Sequence, residues 1–171
     1  MIKKELENII KRALDNFLKD IKQKHWAGRE NEAINLFVFG HLLKEVKTNS
    51  ILYDSTQIAM ECAVQQNPGS VKKQVRKDLI IWHKPGMNCW NENKELKNTP
   101  LAIIEWKVKG FRKPNKGELK NSEYDIQWLK AFSKDKKDFI GYAITLDISG
   151  GNYNLLVNEV FEGNLINENN K

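Results

Sequence analysis

The sequence predicts an α/β domain: a mixed β-sheet flanked by helices, in the order helix, three strands, helix, strand, with an extra helix at the N-terminus. Three observations predict it. Apolar residues recur at helical spacing over residues 2–21. Short isoleucine-rich runs bounded by turn residues follow from residue 57 onward, and a helical stretch separates the third run from the fourth.

In the first element, Ile2, Leu6, Ile9, Ile10, Ala13, Leu14, Phe17, Leu18 and Ile21 form one apolar stripe, so residues 1–25 hold an amphipathic helix with a lysine-rich outer face. A second helix is expected from Asn31 to Val46; its middle, Ile34 to Leu43, is apolar nearly all round and should be buried on most sides. The first strand, Gln57 to Val64, puts Ile58, Met60, Cys62 and Val64 on one face and Ala59, Glu61 and Ala63 on the other. Asp78 to Trp82 and Leu101 to Val108 are the next strands, and Phe139 to Thr145 is the fourth. Between the third and fourth lies a helix from Ser122 to Phe132, where Ser122 and Asp125 resemble a capping box. A last strand is expected over Tyr153 to Phe161, and the asparagine-rich tail, 163–171, is expected to fray. Consecutive strands with short connections pair antiparallel, whereas a strand, helix, strand unit makes a parallel crossover, so the sheet should be mixed.

With 171 residues, 40% hydrophobic and 29% charged, the chain fits a single folded domain, 1–171. No apolar run approaches the roughly 18 residues needed to span a bilayer, which predicts no membrane partner. The charged first turn lacks the apolar core of a secretion signal, and Cys62 and Cys89 form no CxxC pair; both predict a cytoplasmic protein with reduced thiols. A net charge of +6 and a pI near 9.2 favour a polyanionic partner such as nucleic acid.

Two positions break the apolar pattern of the sheet. Asp78 opens a strand whose next four residues are apolar, and Glu105 and Lys107 follow Leu101-Ala102-Ile103-Ile104 and flank Trp106. Residues two apart in a strand share a face, so Ile103, Glu105 and Lys107 point the same way. If the second and third strands form an antiparallel hairpin, matching Trp82 with Leu101 also aligns Ile80 with Ile103 and Asp78 with Glu105, with the tip near Asn91-Glu92. Opposed carboxylates repel and are costly to bury unless a cation lies between them. Mg²⁺ (or Mn²⁺) is such a cation, held by one or two carboxylates plus waters and substrate phosphate. Lys107 would then orient the attacking water beside the scissile phosphate. Taken singly, Glu-x-Lys on a strand is usually a solvated ion pair and Asp at a strand start a turn residue; the combination at one end of a hairpin is more specific.

Arg76-Lys77-Asp78-Leu79-Ile80-Ile81 followed by Ile103-Ile104-Glu105-Trp106-Lys107 resembles the motif of the PD-(D/E)XK nuclease superfamily. The order of elements over about residues 30–147 resembles that superfamily's restriction endonuclease-like core. The resemblance implies that Asp78 and Glu105 bind Mg²⁺ with help from the Trp106 carbonyl, that Lys107 serves the water nucleophile, and that an acid on the first core helix lies near the metal. Glu32 is the better match for that acid and Glu30 the second. Lys77 stands where the motif has proline, and Gln127 is followed four residues later by Ala131, so the Gln-x-x-x-Tyr branch is not resembled.

Lys109, Arg112, Lys113, Lys116 and Lys120 form a basic segment just beyond Lys107, and Lys72, Lys73, Arg76 and Lys77 lead into Asp78. Both suit contact with backbone phosphates, and Gln127 on the following helix is expected to face the same substrate. Glu61, on the neighbouring strand, is a further acidic candidate. His25, His41 and His83 show no metal-ligand spacing. The resulting expectation is a Mg²⁺-dependent nuclease hydrolysing phosphodiester bonds, of DNA rather than RNA, and endonucleolytic. The alternative is a non-catalytic nucleic-acid-binding or protein-assembly domain that keeps the nuclease fold. A homodimer formed through the N-terminal helix is left open.

Overall fold

A computed structural model describes residues 2–110 and 116–170; for residues 2, 116–121, 150 and 167–170 the backbone alone is described. The N-terminal stripe folds as the helix α1 (Ile2–Gln23), with Leu6, Ile10, Ala13, Phe17 and Ile21 almost wholly buried. The helix α2 (Glu30–Gly40) follows, then the strands β1 (Ile58–Gln65), β2 (Gln74–Ile81) and β3 (Ala102–Lys109). The helix α3 (Lys116–Ser133) leads into β4 (Ile140–Asp147), β5 (Asn154–Phe161) and β6 (Asn164–Asn170). The result is α/β: one six-stranded mixed sheet in the order β1-β2-β3-β4-β5-β6. Its parallel pair is β3 with β4, the two strands joined through α3; the other neighbours run antiparallel.

Two apolar layers sandwich the sheet. On one face, α1 and α2 cover Leu79, Ile81, Ile104, Trp106 and Ile144. Phe17 meets the Trp106 ring edge-on at 5.4 Å and Phe37 at 6.0 Å, so Trp106 of β3 is locked beneath both helices. On the other face, Trp128, Leu129 and Phe132 of α3 pack on Ile80, Ile103, Ala143 and Val160. Gly141 permits that contact, since a Cβ there would stand 2.9 Å from Leu129 Cδ2.

The β2–β3 register is the expected one: Ile80 faces Ile103, Ile81 faces Ala102 and Leu79 faces Ile104. The tip also falls as expected, in a turn over residues 91–94. Other expectations are corrected. The second helix ends at Gly40, because His41 leaves helical geometry (φ −134°) and residues 42–45 tighten into a 3₁₀ turn. Phe39 on that helix is 61% exposed rather than buried. The third helix begins at Lys116, six residues before Ser122, so Ser122 does not cap it; its hydroxyl lies 3.4 Å from that of Thr145. The tail is strand β6, turned back on β5 at Glu162-Gly163, both in left-handed conformation (φ 45° and 78°), as a two-residue hairpin requires.

The faces of β1 also differ from simple alternation. Ala59 packs on the α3 side and Met60 on the α1 side, but Cys62, Ala63 and Val64 all pack with the α3 layer. Glu61 has φ +51°, and the ladder pairs Met60 with Leu79 and Cys62 with Lys77 while skipping Glu61 and Asp78. A left-handed residue in mid-strand rotates the chain and breaks the regular alternation of the residues that follow. Alternation is broken at the same level on β2, where Ile80 and Lys77, three residues apart, meet the same layer.

Candidate active site

The kink sits beside the carboxylates. Up to Leu79 and Ile104, β2 and β3 pair by backbone hydrogen bonds; beyond them the described ladder stops and side chains take over. The Trp106 backbone N–H donates to Asp78 Oδ2 at 2.8 Å, and the Asp78 N–H points at Glu105 Oε2 at 3.3 Å. Each strand thus presents a carboxylate to the other's backbone, which holds the strands together while parting them. Asp78 and Glu105 are neighbours there, as the aligned hairpin predicts.

Two lysines complete the group. Lys107 Nζ donates to the Trp106 carbonyl at 2.6 Å and lies 3.5 Å from both Glu30 Oε1 and Asp125 Oδ2. Lys77 Nζ donates to Glu105 Oε1 and sits 3.8 Å over the ring of Trp128. Four carboxylates therefore face two ammonium groups, an excess of two negative charges when all are ionised.

That imbalance is visible in proton affinity. Burial raises the Glu105 carboxyl to about 7, with Asp78 and Asp125 adding to the rise against the pull of Lys77. Burial likewise raises Asp125 and Glu30; Lys107 opposes both shifts, and Asp78 reinforces them. Burial alone would lower the Lys107 ammonium, but Asp125, Glu30, Asp78 and Glu105 together hold it above its ordinary value. Lys107 is consequently a lasting cation and hydrogen-bond donor, not a base.

Of the residues singled out in the sequence, Asp78, Glu105, Trp106 and Lys107 come together. Glu32 does not: its carboxylate accepts from the Arg29 backbone N–H and closes the N-terminus of α2, and the residue is exposed. Glu30, the second choice for that position, is the helix acid that reaches Lys107. Lys77 is buried against Glu105 rather than displayed to a ligand. Lys109 is half-buried at the end of β3, and Gln127 lies on the exposed side of α3. Arg112 and Lys113 fall outside the described residues. Asp125 is the group that sequence reasoning missed. Its signal was present: with Trp128, Leu129 and Phe132 it lies on the inward stripe of α3, where a carboxylate needs a partner.

No family model, curated protein or solved structure matches this chain. The chemistry has to be weighed on its own residues. Among the described residues no three His, Cys, Asp or Glu side chains are arranged to hold a metal ion. Mg²⁺ does not require three, since it is commonly held by one or two carboxylates with water completing the shell. Asp78, Glu105 and the Trp106 carbonyl are all hard oxygen donors where β2 and β3 part, with the surplus negative charge that a divalent cation would balance. The residues present fit such an ion. A groove lined by Glu5, Arg12, Glu45 and Ser50 runs along α1 and shares none of these groups.

Proposed function

We propose that this protein is a Mg²⁺-dependent nuclease with its centre at Asp78, Glu105 and Lys107. The observation that carries the proposal is the point where β2 and β3 part: two carboxylates bonded across the strands, with an ammonium held on the carbonyl between them. The order α2, β1, β2, β3, α3, β4 also agrees with the restriction endonuclease-like core that the motif resembles.

Asp78, Glu105 and the Trp106 carbonyl would hold the ion, which supplies charge neutralisation at the phosphate and acidifies a bound water. The chain's own groups do the rest. Lys107, fixed by the Trp106 carbonyl and kept charged by four carboxylates, directs its remaining N–H bonds at the attacking water and at the phosphoryl oxygen that gains charge. Glu30 and Asp125, both 3.5 Å from that ammonium and both raised in proton affinity, are placed to accept the proton that the water loses. Arg76, Lys72 and Lys73 are exposed on the approach to Asp78 and suit a polyanion such as DNA.

A second reading has an observation in its favour. Every charge of the cluster has a partner inside the protein, Lys77 on Glu105 in particular, which is how a non-catalytic nucleic-acid-binding domain of the same fold would be stabilised. Cleavage of supercoiled plasmid with Mg²⁺ or Mn²⁺ separates the two. Metal-dependent nicking that Asp78→Ala and Lys107→Ala abolish supports the nuclease; salt-sensitive DNA binding without nicking supports the binding domain.

A further inference from the structure

Lys77 is the charged residue that the proposed chemistry leaves without a task. Its side chain is only 4% exposed and that of Glu105 6%, so the pair is one of the most deeply buried ionic contacts among the described residues. Buried lysines are rare unless paired, and this one has been brought in at a cost. The β1–β2 ladder is interrupted where Glu61, in left-handed conformation, stands opposite Asp78, and past that interruption Lys77 shares a face with Ile80. With regular alternation the ammonium would point at the opposite layer, under α1 and α2. The Trp128 ring then supports it from one side at 3.8 Å.

Resting on the metal-site reading, we propose that the Lys77 ammonium is a built-in counter-cation for Glu105, which a divalent ion must displace before the site is loaded. Glu105 Oε1 is engaged by Lys77, and Oε2 faces the Asp78 N–H. A divalent ion approaching Glu105 therefore meets an ammonium already there, and the two cations compete for one carboxylate. A place for the displaced group exists nearby. Asp125 Oδ2 is buried and its ion-pair partner, the Lys107 ammonium, stands 3.5 Å away, at the outer edge of hydrogen-bonding distance, so the carboxylate has room for a closer donor. Four rotatable bonds allow the Lys77 ammonium to leave Glu105 and the Trp128 ring for Asp125. The site is then never an uncompensated pocket of negative charge: Lys77 satisfies Glu105 when the ion is absent and Asp125 when it is present.

Competition of this kind weakens the ion's apparent affinity by the fraction of time that Lys77 holds Glu105. Mn²⁺ titration calorimetry on the full chain should show Lys77→Met, which keeps an unbranched apolar side chain and deletes the charge, binding about tenfold tighter than wild type. Equal or weaker binding by a folded Lys77→Met overturns the competition while leaving the metal site standing, provided wild type binds Mn²⁺ and Glu105→Gln does not. Absence of binding in wild type overturns both. A second measurement needs no variant to fold. In ¹³C-lysine-labelled wild type the Lys77 ε-methylene, shielded by the Trp128 ring, should shift toward the ordinary lysine position on saturation with Mg²⁺; a resonance that stays in place while Mg²⁺ binds contradicts the displacement.

Discussion

The two ends of the β2–β3 pair are built from the same backbone but hold together by opposite means. At the apolar end, Leu79 to Ile81 and Ala102 to Ile104 are entirely buried and joined by a regular ladder. At the polar end, one residue further along, the ladder gives way to carboxylates that accept from the facing strand's N–H groups, and the neighbouring strand is kinked at Glu61. The apolar end resembles any sheet core; the polar end accepts repulsion, burial of charge and a strained backbone in one place. Stability is concentrated at the first end, and the departures from it at the second make that end the candidate functional site.

Substitutions at the two ends should separate these roles. Asp78→Ala is expected to abolish Mg²⁺-dependent cleavage, a loss on the order of a thousandfold or more. Its effect on stability should be only about 1–2 kcal/mol, because one part-buried hydrogen bond to Trp106 is lost. Ile103→Ala at the apolar end should do the reverse, lowering stability by about 2–5 kcal/mol in urea unfolding while Mn²⁺ binding by the folded fraction persists. Equal losses of stability from both changes would dissolve the distinction.

Next in size is a pH effect. Glu105 has its carboxyl raised to about 7, so its ionised fraction falls as pH drops through that value. Only the ionised form ligates a metal, and Mn²⁺ affinity should therefore decline about tenfold for each pH unit below 7. The same shift has a sign for stability. A carboxyl that holds its proton more tightly folded than unfolded destabilises the fold as pH rises from its ordinary 4.5 toward 7, so the metal-free protein should lose stability across that window and Mg²⁺ should restore it. A metal affinity flat from pH 5 to 8 would remove Glu105 from the ligand set. The smallest effect belongs to the kink: Glu61→Gly should leave the fold intact and stabilise it by about 1 kcal/mol, since glycine adopts a left-handed backbone without strain.

Much of this was legible in the sequence because it follows from period and register. The stripe from Leu6 to Ile21, the β2–β3 alignment and the meeting of Asp78 with Glu105 need only 3.6- and 2-residue repeats and one turn. What failed did so where a single residue overrides the period. Glu61 carries a backbone conformation that its side chain does not advertise, and the loss of alternation at that level, Lys77 included, could not be read from the period. Gly40 and His41 stop a helix whose composition would continue it. Asp125 was legible and misassigned: a carboxylate on the buried stripe of α3 was taken for half of a capping box, because the helix was started at Ser122 rather than Lys116. Glu30 and Glu32 are two residues apart at a helix start, and which one caps and which one faces Lys107 depends on where Arg29 leaves the helix.

The most direct test of the central claim is Mn²⁺ titration calorimetry at pH 8 on wild type, Asp78→Ala, Glu105→Gln and Glu32→Gln. The account predicts one ion per chain for wild type, unchanged in Glu32→Gln and lost in the other two. No binding by wild type, or binding by Asp78→Ala as tight as wild type, would contradict it.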